Sequence, residues 1–515
     1  MLMIPIDLIV PIEQMPSEIG KSLALFIPEI VLVVTFVLAI LLDLIFKKSK
    51  NIAGWTAVAG FLVTGYFLIC SQQCTANIGI FSNIVAADPF SRFFKLLILL
   101  ASLVVTFMSF YSDELYKENR RLGEYFTIII GMTFGMFLLS SATNLVMMYL
   151  AIETMSMSSY VLAGFTKEIK RASEASLKYV IYGAASSGIM IYGISILYGL
   201  TGSFNFMEIN QALMNGNVSL FALVMSGFMI LAGIGFKISM VPFHFWTPDV
   251  YEGAPVTITA FLSIASKAAG FAILMRFVKT VFIDSQLYNS EHIWTTIHQI
   301  DWNFILAVFS VLTMTLGNIT AIWQKNVKRL LAYSSIAHAG YLLMGVVVMT
   351  SAGFTAVMIY FFFYLIMNLG AFYFVMLIAN KIGSENIEDY YGLGYRAPVL
   401  SAMMVIFLIS LTGLPPTAGF IGKLFLFMAV LKAGDQWIWL AVVGILNSVV
   451  SLFYYVKIFR NMYLRDVDSK KPELHFSMGV YVIAYLLAIP TLLFGIYYTP
   501  IVNWAKSSVL MFIGK

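Results

Sequence analysis

Residues 235–277 read GFKISMVPFHFWTPDVYEGAPVTITAFLSIASKAAGFAILMRF. Two apolar runs flank a polar turn here, and each carries a lysine: Lys237 late in the first and Lys267 near the middle of the second. A charge near the centre of a bilayer costs about 2.5–3.5 kcal/mol on insertion scales. Pro242 follows Lys237, lacks an amide donor and clashes with the preceding turn, so the first helix is expected to break there. A lysine beside a break and another in mid-helix mark a functional element of a membrane bundle.

The rest of the chain agrees with a lipid solvent. Of 515 residues, 60% are hydrophobic and 11% charged, against roughly 45–50% and 25% in a soluble domain. A soluble core needs polar surface to cover it, and this chain has too little. About fourteen segments reach the ~20 apolar residues of a crossing. They are 24–46, 52–71, 91–110, 122–140, 142–165, 175–200, 219–241, 256–280, 302–323, 329–350, 354–380, 399–431, 437–459 and 477–500. Basic residues fall in alternate loops: Lys47, Lys48 and Lys50; Lys117, Arg120 and Arg121; Lys167, Lys170 and Arg171. The set continues with Lys325, Lys328 and Arg329; Lys381 and Arg396; and Arg460, Arg465, Lys470 and Lys471. The positive-inside rule makes these loops cytoplasmic and puts both termini outside. Only an even number of spans keeps that alternation.

A second break is expected in the twelfth segment, where Gly413-Leu-Pro-Pro-Thr-Ala-Gly-Phe-Ile-Gly-Lys423 carries Pro415 and Pro416 with Lys423 close by. Irregular backbone at membrane depth is tolerated only where protein or water covers it. A packed proline kink is the plainer reading; two breaks, each with a lysine, favour transport. The breaks lie five spans apart, and five is odd, so two five-span units would run in opposite directions. The expected fold class is an all-α polytopic membrane protein, one membrane domain over 1–515. It would hold three leading spans (1–121), an inverted repeat of spans four to eight (122–283) and nine to thirteen (302–460), and a last span with its tail (461–515).

Glu153 sits centrally in LVMMYLAIETMSMSSYVLAGF, and Lys267 in ITAFLSIASKAAGFAILM. Ser263 and Gly270 share the Lys267 face, Gly233 that of Lys237 and Gly419 that of Lys423; small neighbours let water or another helix come close. A structural ion pair is the competing reading, but four such charges favour an ion or proton path. Burial disfavours an ammonium and a nearby carboxylate restores it, so Glu153 is the natural modulator, with Lys237 and Lys267 as carriers. His338, in AYSSIAHAGYLLMG, is either a shuttle between lysines or a satisfied core histidine. Lys178 reads as snorkelling to the interface, and Asp249 and Glu252 as solvated or capping residues.

Several classes drop out. The net charge of +5 is mild and has no basic block for nucleic acid. No GxGxxG follows a strand, and in GFIGKL the residue after the lysine is Leu424, so no nucleotide site is visible. The two cysteines, Cys70 and Cys74, cannot hold an iron–sulfur cluster. Glu13 and Glu18 precede the first apolar run in place of a basic leader, so the N-terminus reads as retained.

Three stretches resemble a known family: 235–277, NVKRLLAYSSIAHAGYLLMG and LTGLPPTAGFIGKLFLF. They look like subunit N of respiratory complex I, an antiporter-like membrane subunit of the proton-translocating NADH–quinone oxidoreductase. The match extends over spans four to thirteen in order, and WTPDVYEGAP is typical of subunit N where its two sisters favour a WLPDA-type sequence. The resemblance implies proton transfer through Glu153, Lys237, Lys267, His338 and Lys423. It implies quinone, NADH, FMN and iron–sulfur clusters elsewhere in a complex and none bound by this chain. It also implies the other membrane subunits as partners, the two sister antiporter-like subunits among them. The place would be a bacterial inner membrane, with both termini on the periplasmic side. A multisubunit cation/proton antiporter is the alternative.

Overall fold

Local signals set the helix ends. Asn144 and Asn326 cap the helices that follow them by accepting from backbone amides one turn on, and Asp88 with Ser91 forms a capping box ahead of Pro89. Gly202 and Gly383 end two 32-residue helices at φ 73° and 75°, a conformation that costs glycine little. The structure, a computed structural model, describes residues 15–47, 49–70, 77–117, 120–216, 218–283, 296–297, 300–465 and 472–512. Glu13, Lys48, Cys74, Lys470 and Lys471 lie outside the described residues.

Among these, thirteen helices are long and apolar enough to cross a membrane. Spans 1 to 8 are Ile27–Ile45, Ile52–Cys70, Pro89–Phe110, Leu122–Ser141, Leu145–Ala163, Lys170–Thr201, Leu220–Ile238 and Val256–Phe282. Spans 9 to 11 are Trp302–Ile322, Val327–Val347 and Ser351–Ile382; spans 13 and 14 are Asp435–Tyr463 and Met478–Ile496. Span 12 is divided into 12a (Pro398–Thr412) and 12b (Ala418–Lys432), which completes fourteen. One departure from an all-α reading is a hairpin, β1 (Ile78–Ile80) antiparallel to β2 (Val85–Ala87), in register Ile78↔Ala87. Spans 8, 10 and 11 form the centre: 100%, 94% and 94% of their apolar windows are buried, against 28% for spans 1 and 14. Lys267 and His338 therefore lie on the axis of the bundle.

Both expected breaks are present. Span 7 stops at Ile238 and resumes as a short helix, Trp246–Gly253; span 12 is interrupted between Thr412 and Ala418. Each first half closes with the same bond pattern: Met240 N–H to Gly235 O at 2.8 Å, and Leu414 N–H to Ile409 O at 3.2 Å. Pro242, Pro415 and Pro416 lie just beyond, and the Val241–Pro242 and Pro415–Pro416 peptides are cis.

A set of hydrogen bonds also recurs. Leu145 N–H reaches Phe204 O, and Phe206 N–H reaches Thr143 O; in the later half Val327 N–H reaches Glu385 O, and Ile387 N–H reaches Lys325 O. Ser203 and Ser384 each donate to an acid five residues on, Glu208 and Asp389. The loop after span 6 is thus bracketed to the start of span 5 as the loop after span 11 is to the start of span 10. The sequence does not announce the π turn Leu262–Ser266, which immediately precedes Lys267; such turns concentrate at functional sites.

Candidate functional site

Three of the expected charges are buried: Lys237 is 2% exposed, Lys267 1% and Lys423 2%. Glu153 is only half-buried, so the reading of four fully enclosed charges is corrected for it. The lysines differ in their partners. Lys267 donates to Ser335 O at 2.8 Å and Ser335 Oγ at 2.7 Å. Lys423 donates to Thr412 O at 2.7 Å, a carbonyl freed by the break in span 12, and to Ser448 Oγ at 2.8 Å. In span 7 the Trp246 indole donates to Phe236 O at 2.9 Å. Among the described residues Lys237 Nζ has no hydrogen-bond partner. It lies 5.2–5.5 Å from the ring centres of Tyr160, Tyr179 and Phe236, close enough for cation–π attraction.

Glu153 and Tyr160 are seven residues apart on span 5, on one face. The carboxylate accepts from Ser187 on span 6, and no direct ion pair joins it to Lys237 among the described residues. The expected modulator is therefore bonded to span 6 and not paired with Lys237. Gly270 brings span 8 against Ile238 and Lys237, as the small-residue pattern implied. Tyr179, whose ring centre is 5.4 Å from Lys237 Nζ, stacks on Trp246 at 4.4 Å and 9°.

Beyond Lys267 the surroundings are polar. His338, 1% exposed, bonds through Nδ1 with the Tyr360 hydroxyl and through Nε2 with that of Tyr455 at 3.2 Å. Tyr455 also meets Ser334, the neighbour of the Lys267 acceptor. Tyr454, its ring 4.4 Å from Tyr455, donates to Asn318 Oδ1 at 2.9 Å; Asn318 Nδ2 donates to the Tyr341 hydroxyl at 2.9 Å. The Lys423 ammonium sits 4.8 Å from the Tyr341 ring centre. Hydroxyls and amides thus reach from span 8 to span 12 with His338 between them. Asn368 on span 11 donates to Ser263 Oγ at 2.6 Å, within the π turn. Sequence reasoning missed all these tyrosines and asparagines, although polar groups in core-facing spans were a signal.

Other ion pairs revise the sequence reading. Lys178 bonds with Asp249 at 2.7 Å and Glu174 at 2.8 Å, so it is paired. Arg329 pairs with Asp249 at 2.6 Å and Glu252 at 2.9 Å, and Arg171 with Glu252 at 2.6 Å. These carboxylates are neither simply solvated nor helix caps. They tie the helix after the first break to spans 6 and 10. Two buried pairs were missed: Glu29–Lys95 at 2.6 Å, joining spans 1 and 3, and Asp88–Arg276 at 2.7 Å, both side chains 0% exposed. Phe512 N–H also donates to Asp88 at 2.8 Å. Burial alone would raise the Asp88 carboxyl; Arg276 and the Phe512 and Ser91 amides overcome this and hold it below the usual carboxylate range.

Residues 142–451 match the family described as NADH:quinone oxidoreductase/Mrp antiporter, transmembrane. The chain is 47% identical over 501 residues to NADH-quinone oxidoreductase subunit N 2 of Chloroherpeton thalassium, covering 97% of this chain and 96% of that one. It belongs to the NADH-quinone oxidoreductase subunit N family. A second member, from Chlorobium chlorochromatii, is 42% identical, with 97% of both chains covered. Among solved structures, a chain of respiratory complex I from Thermus thermophilus superposes with a TM-score of 0.75 at 27% identity, covering 93% of this chain and 99% of that one. In this subunit N fold the cluster around His338 invites a volume-conserving test. Tyr455→Phe removes only the hydroxyl shared by His338 and Ser334 and is expected to cut proton uptake per electron about threefold or more, read in proteoliposomes by quenching of a pH-sensitive dye.

Proposed function

We propose that this chain is the proton-translocating membrane subunit of an NADH-quinone oxidoreductase and that protons cross it by way of Glu153, Lys237, Lys267, His338 and Lys423. The observation that carries this is the contrast between a free ammonium at Lys237 and bonded ones at Lys267 and Lys423. Without an acceptor, the charge on Lys237 rests on ring faces and on whatever carboxylate approaches it. A carboxylate brought nearer favours the ammonium, and its withdrawal favours release. Glu153, which accepts from the Ser187 hydroxyl, would make that change. Released protons would pass to Lys267 when water or a rotamer change bridges the aromatic packing, then along the hydroxyls about His338 to Lys423.

Moving one charge against 100 mV costs about 2.3 kcal/mol, so an outside source must drive each transfer. Quinone reduction elsewhere in the assembly supplies it in this reading, with NADH, FMN and iron–sulfur clusters in other subunits. The partners would be the other membrane subunits, including the two sister antiporter-like subunits. The site of action would be a bacterial inner membrane with both termini periplasmic. The recurring loop brackets and matched breaks support an inverted repeat of spans 4–8 and 9–13 within one membrane domain.

A cation/proton antiporter subunit is the second reading, favoured only by the breadth of the matched family. One experiment separates the two. The assembled enzyme in proteoliposomes should acidify or alkalinise the lumen on adding NADH and quinone, and Lys267→Ala or Lys423→Ala should lower protons moved per NADH about threefold or more. Proton movement that follows an imposed sodium gradient and ignores NADH would reverse the choice.

A further inference from the structure

A groove of about 990 Å³ opens between the end of span 9, the loop 386–391 and span 13. Its lining includes Lys325, Lys457, Arg460 and Arg465 against one carboxylate, Glu388. Two of these cations secure the walls: Lys457 donates to Gln324 O at 2.9 Å, and Arg465 donates to the Tyr391 hydroxyl. The other two, Lys325 and Arg460, are exposed and have no side-chain partner among the described residues.

Below the cations the groove turns apolar. Val449, Phe453 and Val456 lie one helical turn apart on the face of span 13 that ends at Arg460. Val449 and Phe453 are 62% and 64% exposed, and Trp323 at the rim is 78% exposed. At 1.5 Å per residue the stripe from Val449 to Arg460 is about 16 Å long. That is roughly half the ~30 Å hydrocarbon core, the depth of one leaflet. Tryptophan at the rim suits the headgroup level, and Lys325, Arg460 and Arg465 belong to the set that the positive-inside rule reads as cytoplasmic.

From the charge surplus and the one-leaflet length we infer that this groove is a binding site for an anionic phospholipid. The phosphate sits on Lys325 and Arg460, and an acyl chain lies along Val456, Phe453 and Val449. Basic pockets between spans at the cytoplasmic surface take such headgroups, and each Lys or Arg there contributes enough that two amount to about thirtyfold in affinity. Neither residue is among the proposed proton carriers, so the site is a separate one.

The test uses the assembled complex in phosphatidylcholine nanodiscs, with phosphatidylglycerol bearing a photoreactive acyl chain as probe. Labelling is expected on the peptide containing 449–456, to be displaced by unlabelled phosphatidylglycerol and not by phosphatidylcholine or inorganic phosphate. Lys325→Ala with Arg460→Ala should lower it at least several-fold, while Arg460→Lys should retain most of it. Equal competition by phosphatidylcholine, labelling indifferent to charge removal, or a groove unlabelled because another subunit covers it would each overturn the assignment. The competition arm needs only the wild-type complex, so it decides the matter even if the double variant does not assemble.

Discussion

Replacing Lys237 with alanine is expected to lower proton uptake per NADH oxidised by about tenfold or more. The effect should exceed that of any hydroxyl replacement, because a hydroxyl has neighbours that can substitute for it. Lys267 and Lys423 each hold a carbonyl and a hydroxyl; Lys237 holds neither. Its removal takes away the ammonium that rests on the Tyr160 and Tyr179 rings, next to the span that carries Glu153. Lys237→Arg makes the matching control, since a guanidinium keeps its charge at any working pH. Arginine should therefore preserve the fold and still impair transfer. Pumping at the wild-type ratio in the purified alanine variant would end the proposed role for this residue.

The second large effect concerns stability. Breaking a fully buried ion pair by removing one partner costs about 3–5 kcal/mol, because the other charge is left uncompensated. Arg276→Met should therefore destabilise the subunit by that amount, seen as a fall in assembled complex and in the midpoint of thermal inactivation. Asp88→Asn combined with Arg276→Met should recover much of the loss, since the two act as one unit. The pH dependence has a definite sign. Asp88 is depressed below its unfolded value near 4. Its contribution is thus complete above about pH 4 and fades only as the pH falls through the lower folded value. In Arg276→Met burial acts on Asp88 without the guanidinium and favours the neutral acid, so the variant should lose less at low pH than at high pH; a gap between the two curves that does not widen as the pH rises would show that the pair is not what separates them.

What could be read from the sequence was whatever carries a high cost in lipid. Lys237, Lys267 and Lys423 stand out in apolar runs, and Pro242, Pro415 and Pro416 remove backbone bonds wherever they occur, so both breaks and the span count were legible. Serine, tyrosine and asparagine are cheaper in a membrane helix and too common to single out, so the surroundings of His338 were not. The partners of Lys178 and Asp249 depend on helices 71 residues apart in the chain, and no local pattern encodes that meeting. Lys95 and Arg276 were visible as charges in spans 3 and 8. Only packing shows that each faces a carboxylate.

The bond from Phe512 to Asp88 has a consequence for how the subunit is made. The two residues are separated by 424 positions, so Asp88 enters the bilayer long before its third donor is synthesised. Until Arg276 arrives, that carboxylate waits beside span 3 with only its own helix cap to satisfy it. A chain interrupted during synthesis would therefore expose a buried acid without its counter-ion, a natural mark by which membrane proteases could tell unfinished subunits from finished ones.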